Sequence, residues 1–179
     1  MTRYDTLLEL IDKHKPQSIV EIGVWNGANA IRMINRAKQY NSDITYTGYD
    51  LFEDATQETD AKEFNVKGHN SVKAVAAYIQ SETGIKPNLV KGNTHDSLTN
   101  TVADFVFLDG GHSVETIAHD FEAVKDSKVI VLDDFYTDGV DTSKYGCNQL
   151  VDLLQRAYEI LPHKDPVKGG GYCQLVVIV

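Results

Sequence analysis

Five short apolar runs, interleaved with five stretches of helical periodicity, constrain this chain more than any other feature. The runs are Ser18–Gly23 (SIVEIG), Ile44–Asp50 (ITYTGYD), Asn88–Asn93 (NLVKGN), Asp104–Gly110 (DFVFLDG) and Lys128–Asp134 (KVIVLDD). Apolar residues recur at three- and four-residue spacing in Tyr4–His14, Asn26–Tyr40, Ser71–Gly84, Val114–Val124 and Cys147–Tyr158, as amphipathic helices require. Strands and helices taken in turn build a parallel sheet with helices on both faces. Unbroken apolar strands such as VIVL and FVFL suit a sheet buried on both sides. Leu51–Asn70 is polar and acid-rich and reads as a loop with a helical piece. The tail offers a strand at Glu159–His163, a glycine turn at Gly169–Gly171 and a last strand, YCQLVVIV. That glycine-linked pair predicts an antiparallel hairpin at one edge of a doubly wound α/β sheet. The expectation is one domain over residues 1–179.

Composition narrows the partners. The formal net charge is −9, which argues against a sequence-independent grip on nucleic acid, since that grip needs Lys and Arg to neutralise phosphate. Cys147 and Cys173 form no CxxC or Cys/His metal spacing, so a reduced, cytoplasmic setting is expected. The opening MTRYDTLLELIDKHKP carries Asp5, Glu9 and Asp12 among its apolar residues and does not read as a signal peptide. No apolar run reaches the ~20 residues needed to span a bilayer. The last strand is apolar on both faces and must be covered by this chain or by a second copy, so a homo-oligomer stays open.

In open α/β sheets ligands bind beyond the carboxyl ends of the strands. Here those ends carry Glu21–Gly23, Asp50, Asn93, Asp109 and Asp133–Asp134, so acids gather at one rim. In EIGVWNGANA, Gly23 and Gly27 permit a tight strand-to-helix turn and a close approach by a ligand. The spacing is G-x-x-x-G, not the G-x-G-x-x-G dinucleotide fingerprint. Asp50 after the second strand can accept from both hydroxyls of a ribose, or can cap a loop. VIVLDDF poses a question of its own, because it leads an apolar strand into two adjacent carboxylates that repel each other.

These motifs resemble those of class I S-adenosylmethionine (SAM)-dependent methyltransferases, over nearly the whole chain. The resemblance implies a Rossmann-like, seven-stranded sheet, mostly parallel with an antiparallel C-terminal strand. It also implies that Glu21 and the turn Gly23, Val24, Trp25, Asn26 and Gly27 face the methionine part of SAM. Asp50 would take the ribose, with Leu51 and Phe52 beside it, while Asn93 and Thr94 in GNTHDSL would sit by the adenine. FLDGGHSVETIAHDF followed by VIVLDDF is similar to the metal-dependent O-methyltransferases of the catechol and macrocin type. By that likeness Asp109, Asp133 and Asp134 hold one Mg²⁺, and Asp109 also borders the cofactor. Converging carboxylates destabilise one another, and a hard divalent cation with oxygen ligands would explain why they are kept together. His112 stands where the catechol enzymes place a basic lysine, and an imidazole titrates close to cellular pH. His112, or Asp109 itself, is the expected base.

The reaction so implied is in-line methyl transfer to a small hydroxylated acceptor, such as a sugar, a polyol or a catechol. Acceptor choice is expected from Phe52–Asn70 and Tyr136–Gly146. The acids of the first loop (Glu53, Asp54, Glu58, Asp60, Glu63) argue against a strongly anionic acceptor. Two alternatives keep the fold: a non-catalytic cofactor-binding protein, and a metal-dependent hydroxylase of the cephalosporin hydroxylase-like group, whose members carry a sequence close to DGGHS.

Overall fold

The computed structural model describes residues 2–65 and 67–179; Met1 and Val66, the latter inside the Leu51–Asn70 segment, lie outside the described residues. The helices are α1 (Arg3–His14), α2 (Ala28–Ala37), α3 (Gln57–Lys62), α4 (Val72–Thr83), α5 (Thr94–Ser97), α6 (Val114–Val124) and α7 (Asn148–Leu153). The strands are β1 (Ser18–Ile22), β2 (Thr45–Asp50), β3 (Asn88–Lys91), β4 (Phe105–Leu108), β5 (Val129–Thr137), β6 (Tyr158–Ile160), β7 (Asp165–Pro166) and β8 (Tyr172–Ile178). They form one Rossmann-like sheet in the order β3-β2-β1-β4-β5-β8-β6, with β7 paired to β8. β1 to β5 run parallel, and β8 is antiparallel to β5, β6 and β7.

Alternating side chains divide the core between the two faces of the sheet. On β4, Phe105 and Phe107 join Leu7 and Ile11 of α1, Ile34 of α2 and Ile79 of α4. Val106 and Leu108 join Ile117 and Val124 of α6 and Val151 of α7 on the other face. The faces thus follow from the continuous apolar runs, which have no polar side to expose.

The antiparallel pair expected at one edge is present: β6 ends the sheet, β8 lies between it and β5, and Cys173–Ile178 are buried. The same chain therefore covers both flanks of this apolar strand. Among the described residues the sheet has eight strands rather than seven, the extra one being the two-residue β7. The helix expected over Cys147–Tyr158 ends at Leu153, and GNTHDSL holds the short helix α5 just past its strand. Cys147 and Cys173 are free and buried. Among the described residues, no helix is long and apolar enough to cross a membrane.

Candidate active site

Strand order reverses between β1 and β4, and the crevice above their carboxyl ends holds a cavity of about 330 Å³. Its wall includes Gly23, Val24, Trp25, Asn26, Asp50, Leu51, Asn93, Thr94, Asp109 and His112, which the sequence had singled out. The turn after β1 can form only with glycine at its first position. Gly23 has φ +90°, and a Cβ there would lie 2.0 Å from the Asp109 carbonyl oxygen. The exits of β1 and β4 are therefore in backbone contact, and the Asp109 amide donates to the Ile22 carbonyl at 2.8 Å.

Asp50 orders this turn. Its Oδ2 accepts from the Trp25 amide at 2.7 Å and its Oδ1 from the Phe52 amide at 2.7 Å. Each oxygen keeps a second lone pair for a ligand. Gly27, with φ +81°, caps α2 and packs toward Ile79 without lining the cavity. Phe52 is buried and also absent from the wall. Glu21 points elsewhere too: its Oε2 accepts from the Tyr46 hydroxyl inside the sheet. Burial pushes its carboxyl up to about 8, the Tyr46 hydrogen bond opposing that shift.

The segment after β2 closes over the cavity and is held by specific bonds. Glu63 receives the Ser113 amide at 2.8 Å, the Ser113 hydroxyl at 3.0 Å and the Thr116 hydroxyl at 2.6 Å, so it caps α6 from across the site. Gly111 makes room for this, since a Cβ there would come within 2.8 Å of Glu63 Oε2. Asp60 pairs with His69 at 2.8 Å, Glu53 accepts the Val72 amide at 2.7 Å, and Trp25 Nε1 donates to the Gly68 carbonyl at 2.9 Å. Several of the loop acids read as repelling an anionic acceptor are thus engaged in latch contacts.

His112 lies beneath this segment. Its Nδ1 sits 2.6 Å from the Glu63 carbonyl oxygen, and its Nε2 lies 3.6 Å from Asp134 Oδ2. A carbonyl only accepts, so the proton of the neutral ring is on Nδ1 and Nε2 carries the free lone pair. Tyr136 donates to Asp134 Oδ1 at 2.8 Å.

The Asp133–Asp134 pair sits in a β-bulge. Leu132 pairs with Val176 and Phe135 with Gln174, so β5 carries one residue more than β8 there. Successive residues of a regular strand point to opposite faces. The bulge, with Asp134 at φ +62°, instead brings both carboxylates beside Cys173, whose Sγ is 3.5 Å from Asp133 Oδ1 and 3.8 Å from Asp134 Oδ1. Burial pushes the Cys173 thiol up, with the Asp133 charge adding to it, so it stays protonated.

Two α1 residues that sequence reasoning missed complete the cluster. Arg3 grips Asp133 with both prongs, Nε to Oδ1 at 2.8 Å and Nη2 to Oδ2 at 2.9 Å. Its Nη1 donates to Asp165 Oδ2 at 2.8 Å. The Tyr4 hydroxyl lies 2.9 Å from Asp133 Oδ2 and 3.3 Å from Asp109 Oδ2. Burial alone would raise the Asp133 carboxyl, but the Arg3 guanidinium outweighs it and holds it below the usual range. Asp109 is pushed well up by burial and by the charge of Asp133, and Asp134 is raised for the same two reasons. The Arg3 guanidinium thus favours the charged form of Asp133, while burial and the Asp133 charge shift Asp109 and Asp134 toward the neutral form.

This arrangement does not fit a divalent ion. Asp133 Oδ1 accepts from Arg3 Nε and from the Asp134 amide at 2.8 Å, while Oδ2 accepts from Arg3 Nη2 and Tyr4. All four lone-pair positions of that carboxylate are taken. The void bounded by Asp109, Asp133 and Asp134 measures about 10 Å³, well under the main cavity. The Mg²⁺ set expected from the sequence is brought together in space, but with a guanidinium as its cation.

A Rossmann-like sheet, a glycine turn at its switch point and an acid closing the second strand define the fold of the class I methyltransferases. Residues 20–135 match the family model described as "Methyltransferase domain", and the chain belongs to that family. Among solved structures, an O-methyltransferase from Bacillus cereus in complex with SAH (S-adenosylhomocysteine) superposes with a TM-score of 0.67 at 16% identity, covering 99% of this chain and 80% of that one. TomG, an O-methyltransferase from Streptomyces achromogenes involved in tomaymycin synthesis and in complex with SAM, gives 0.64 at 16% identity, covering 99% and 79%. The precorrin-6y C5,15-methyltransferase of Geobacter metallireducens gives 0.58 at 15% identity, covering 98% and 86%. Likeness at these identities shows a shared fold, and the fold serves acceptors of more than one kind. No curated protein matches the sequence.

Proposed function

We propose that the protein transfers the methyl group of SAM to a hydroxyl of a small acceptor, such as a sugar, a polyol or a catechol, with His112 as general base. The observation that carries this reading is the His112 contact with the Glu63 carbonyl, which leaves Nε2 as the proton acceptor of a residue that lines the cavity. SAM, when bound, supplies a methyl group on a positively charged sulfur. Asp50, which keeps open lone pairs, would take the ribose hydroxyls, and the methionine portion would rest against the Gly23–Asn26 turn at the switch point. The cavity-lining residues Asp60, Glu63, Lys67 and His69 would help to shield the reacting atoms from water.

With SAM bound, the acceptor oxygen would displace sulfur from the methyl carbon, the bonding pair leaving with sulfur, and His112 Nε2 would take the hydroxyl proton. The imidazolium so formed faces Asp134, whose other oxygen is held by Tyr136. Magnesium has no part in this step, because Arg3, Tyr4 and the Asp134 amide fill the lone pairs of Asp133.

The test is SAH formation over a panel of hydroxylated acceptors. The His112→Asn variant should lose about 10²–10⁴-fold in kcat while its SAH affinity stays within about threefold of wild type. Wild-type turnover in that variant would refute the base role. Turnover only on nitrogen or carbon acceptors would refute the O-methyl reading.

A further inference from the structure

We propose that the Arg3 guanidinium is the resident counter-cation of the Asp109–Asp133–Asp134 cluster, occupying the place a divalent ion would need, so that the cluster requires no metal. Only the consequence for turnover rests on the methyltransferase reading; the cation assignment is a property of these acids alone.

Three observations support it. First, the contact is a two-pronged fork rather than a loose approach, with Nε and Nη2 each on its own oxygen of Asp133. Second, the fork is locked from behind. Asp165 of β7 holds Nη1, Nη2 also donates to Tyr4 Oη at 2.8 Å, and the Arg3 side chain is only 16% exposed. Third, Asp133 has no free lone pair for a metal, although Asp133, Asp134 and Cys173 each bring one possible ligand atom within 4.8 Å of the others. Mg²⁺ needs carboxylate lone pairs at about 2.0–2.1 Å and a near-octahedral shell. On Asp133 those lone pairs point at Arg3, Tyr4 and the Asp134 amide, and an added ion would face a fixed positive charge. The same geometry gives β7 and the first turn of α1 a shared role. Both deliver groups that hold the guanidinium over the bulge.

The experiment uses the intact chain stripped with EDTA, with Mn²⁺ as the probe. The electron paramagnetic resonance signal of free Mn²⁺ reports uptake, and thermal unfolding reports stabilisation. Wild type should leave the Mn²⁺ signal unchanged, show the same melting temperature in EDTA and in Mn²⁺, and form SAH equally in EDTA and in Mg²⁺. Arg3→Met should melt lower, take up one Mn²⁺ and recover stability when it does. Should Arg3→Met not fold, the double variant Arg3→Met/Asp133→Asn removes cation and anion together. It should fold, and it should be indifferent to Mn²⁺. Stoichiometric Mn²⁺ uptake by wild type, a folded Arg3→Met that ignores Mn²⁺, or a double variant less stable than Arg3→Met would each overturn the proposal. If no acceptor turns over and SAH does not bind, the methyltransferase reading fails, and the Mn²⁺ readout still decides the role of Arg3.

Discussion

Replacing Glu21 by Gln should change how the stability of this protein responds to pH. Glu21 lies in mid-strand between β2 and β4 and is 1% exposed, with the Tyr46 hydroxyl as its side-chain partner. Burial raises its carboxyl from the ordinary 4.5 to about 8. In the folded state the proton is held until about pH 8, whereas the unfolded chain releases it near 4.5. Across that window the folded protein binds more protons than the unfolded one, so stability falls as pH rises. The contribution is complete below 4.5 and gone above about 8. The width of the window, at about 1.4 kcal/mol per pH unit, sets a ceiling of about 5 kcal/mol. Local relaxation and water entry around a newly charged group bring the expected loss to ~2–4 kcal/mol. Urea unfolding of wild type and Glu21→Gln at pH values spanning about 4 to about 9 isolates this group, because every other titration is common to both. The wild-type curve should drop relative to the variant by that amount. Parallel curves would refute the reasoning. The variant should also bind SAH as wild type does, since Glu21 does not line the cavity.

Two further perturbations probe the site. Gly23→Ala places a methyl 2.0 Å from the Asp109 carbonyl oxygen at φ +90°, and should destabilise the protein by ~3–5 kcal/mol in chemical denaturation; a variant as stable as wild type would mean that the β1 and β4 exits are not in contact. Glu63→Ala removes three bonds to Ser113 and Thr116. It should lower stability by ~1–3 kcal/mol and raise amide exchange in the first turn of α6 and across 57–70, and unchanged exchange would show that Glu63 is not the latch.

The parallel sheet was legible because its strands are apolar on both faces, and Val114–Val124 was found with its observed bounds. The rim residues Asp50, Asn93 and Asp109 were legible by the same logic, since strand ends locate ligand sites in open sheets. The limits are equally physical. Glu21 looked like a rim acid, yet its side chain turns into the sheet to meet Tyr46. The bulge that turns Asp133 and Asp134 toward the same neighbour leaves no mark in the run VIVLDDF. Arg3 lies 130 residues from Asp133 along the chain, and a cation at the start of an amphipathic helix reads as a solvated one. The contacts of Cys173 and Glu63 were not legible for the same reason, because their partners become neighbours only once the chain has folded. The insertion of β8 was half visible: an apolar strand needing two covered faces was evident, but not which strands would flank it.

Calorimetric titration of the intact protein with SAH tests most directly whether the cavity above β1 and β4 binds SAM. Saturable binding is expected at one site per chain, with the same affinity in EDTA as in Mg²⁺. Absence of binding in both buffers would contradict a SAM site there, and binding only in Mg²⁺ would contradict the place given to Arg3.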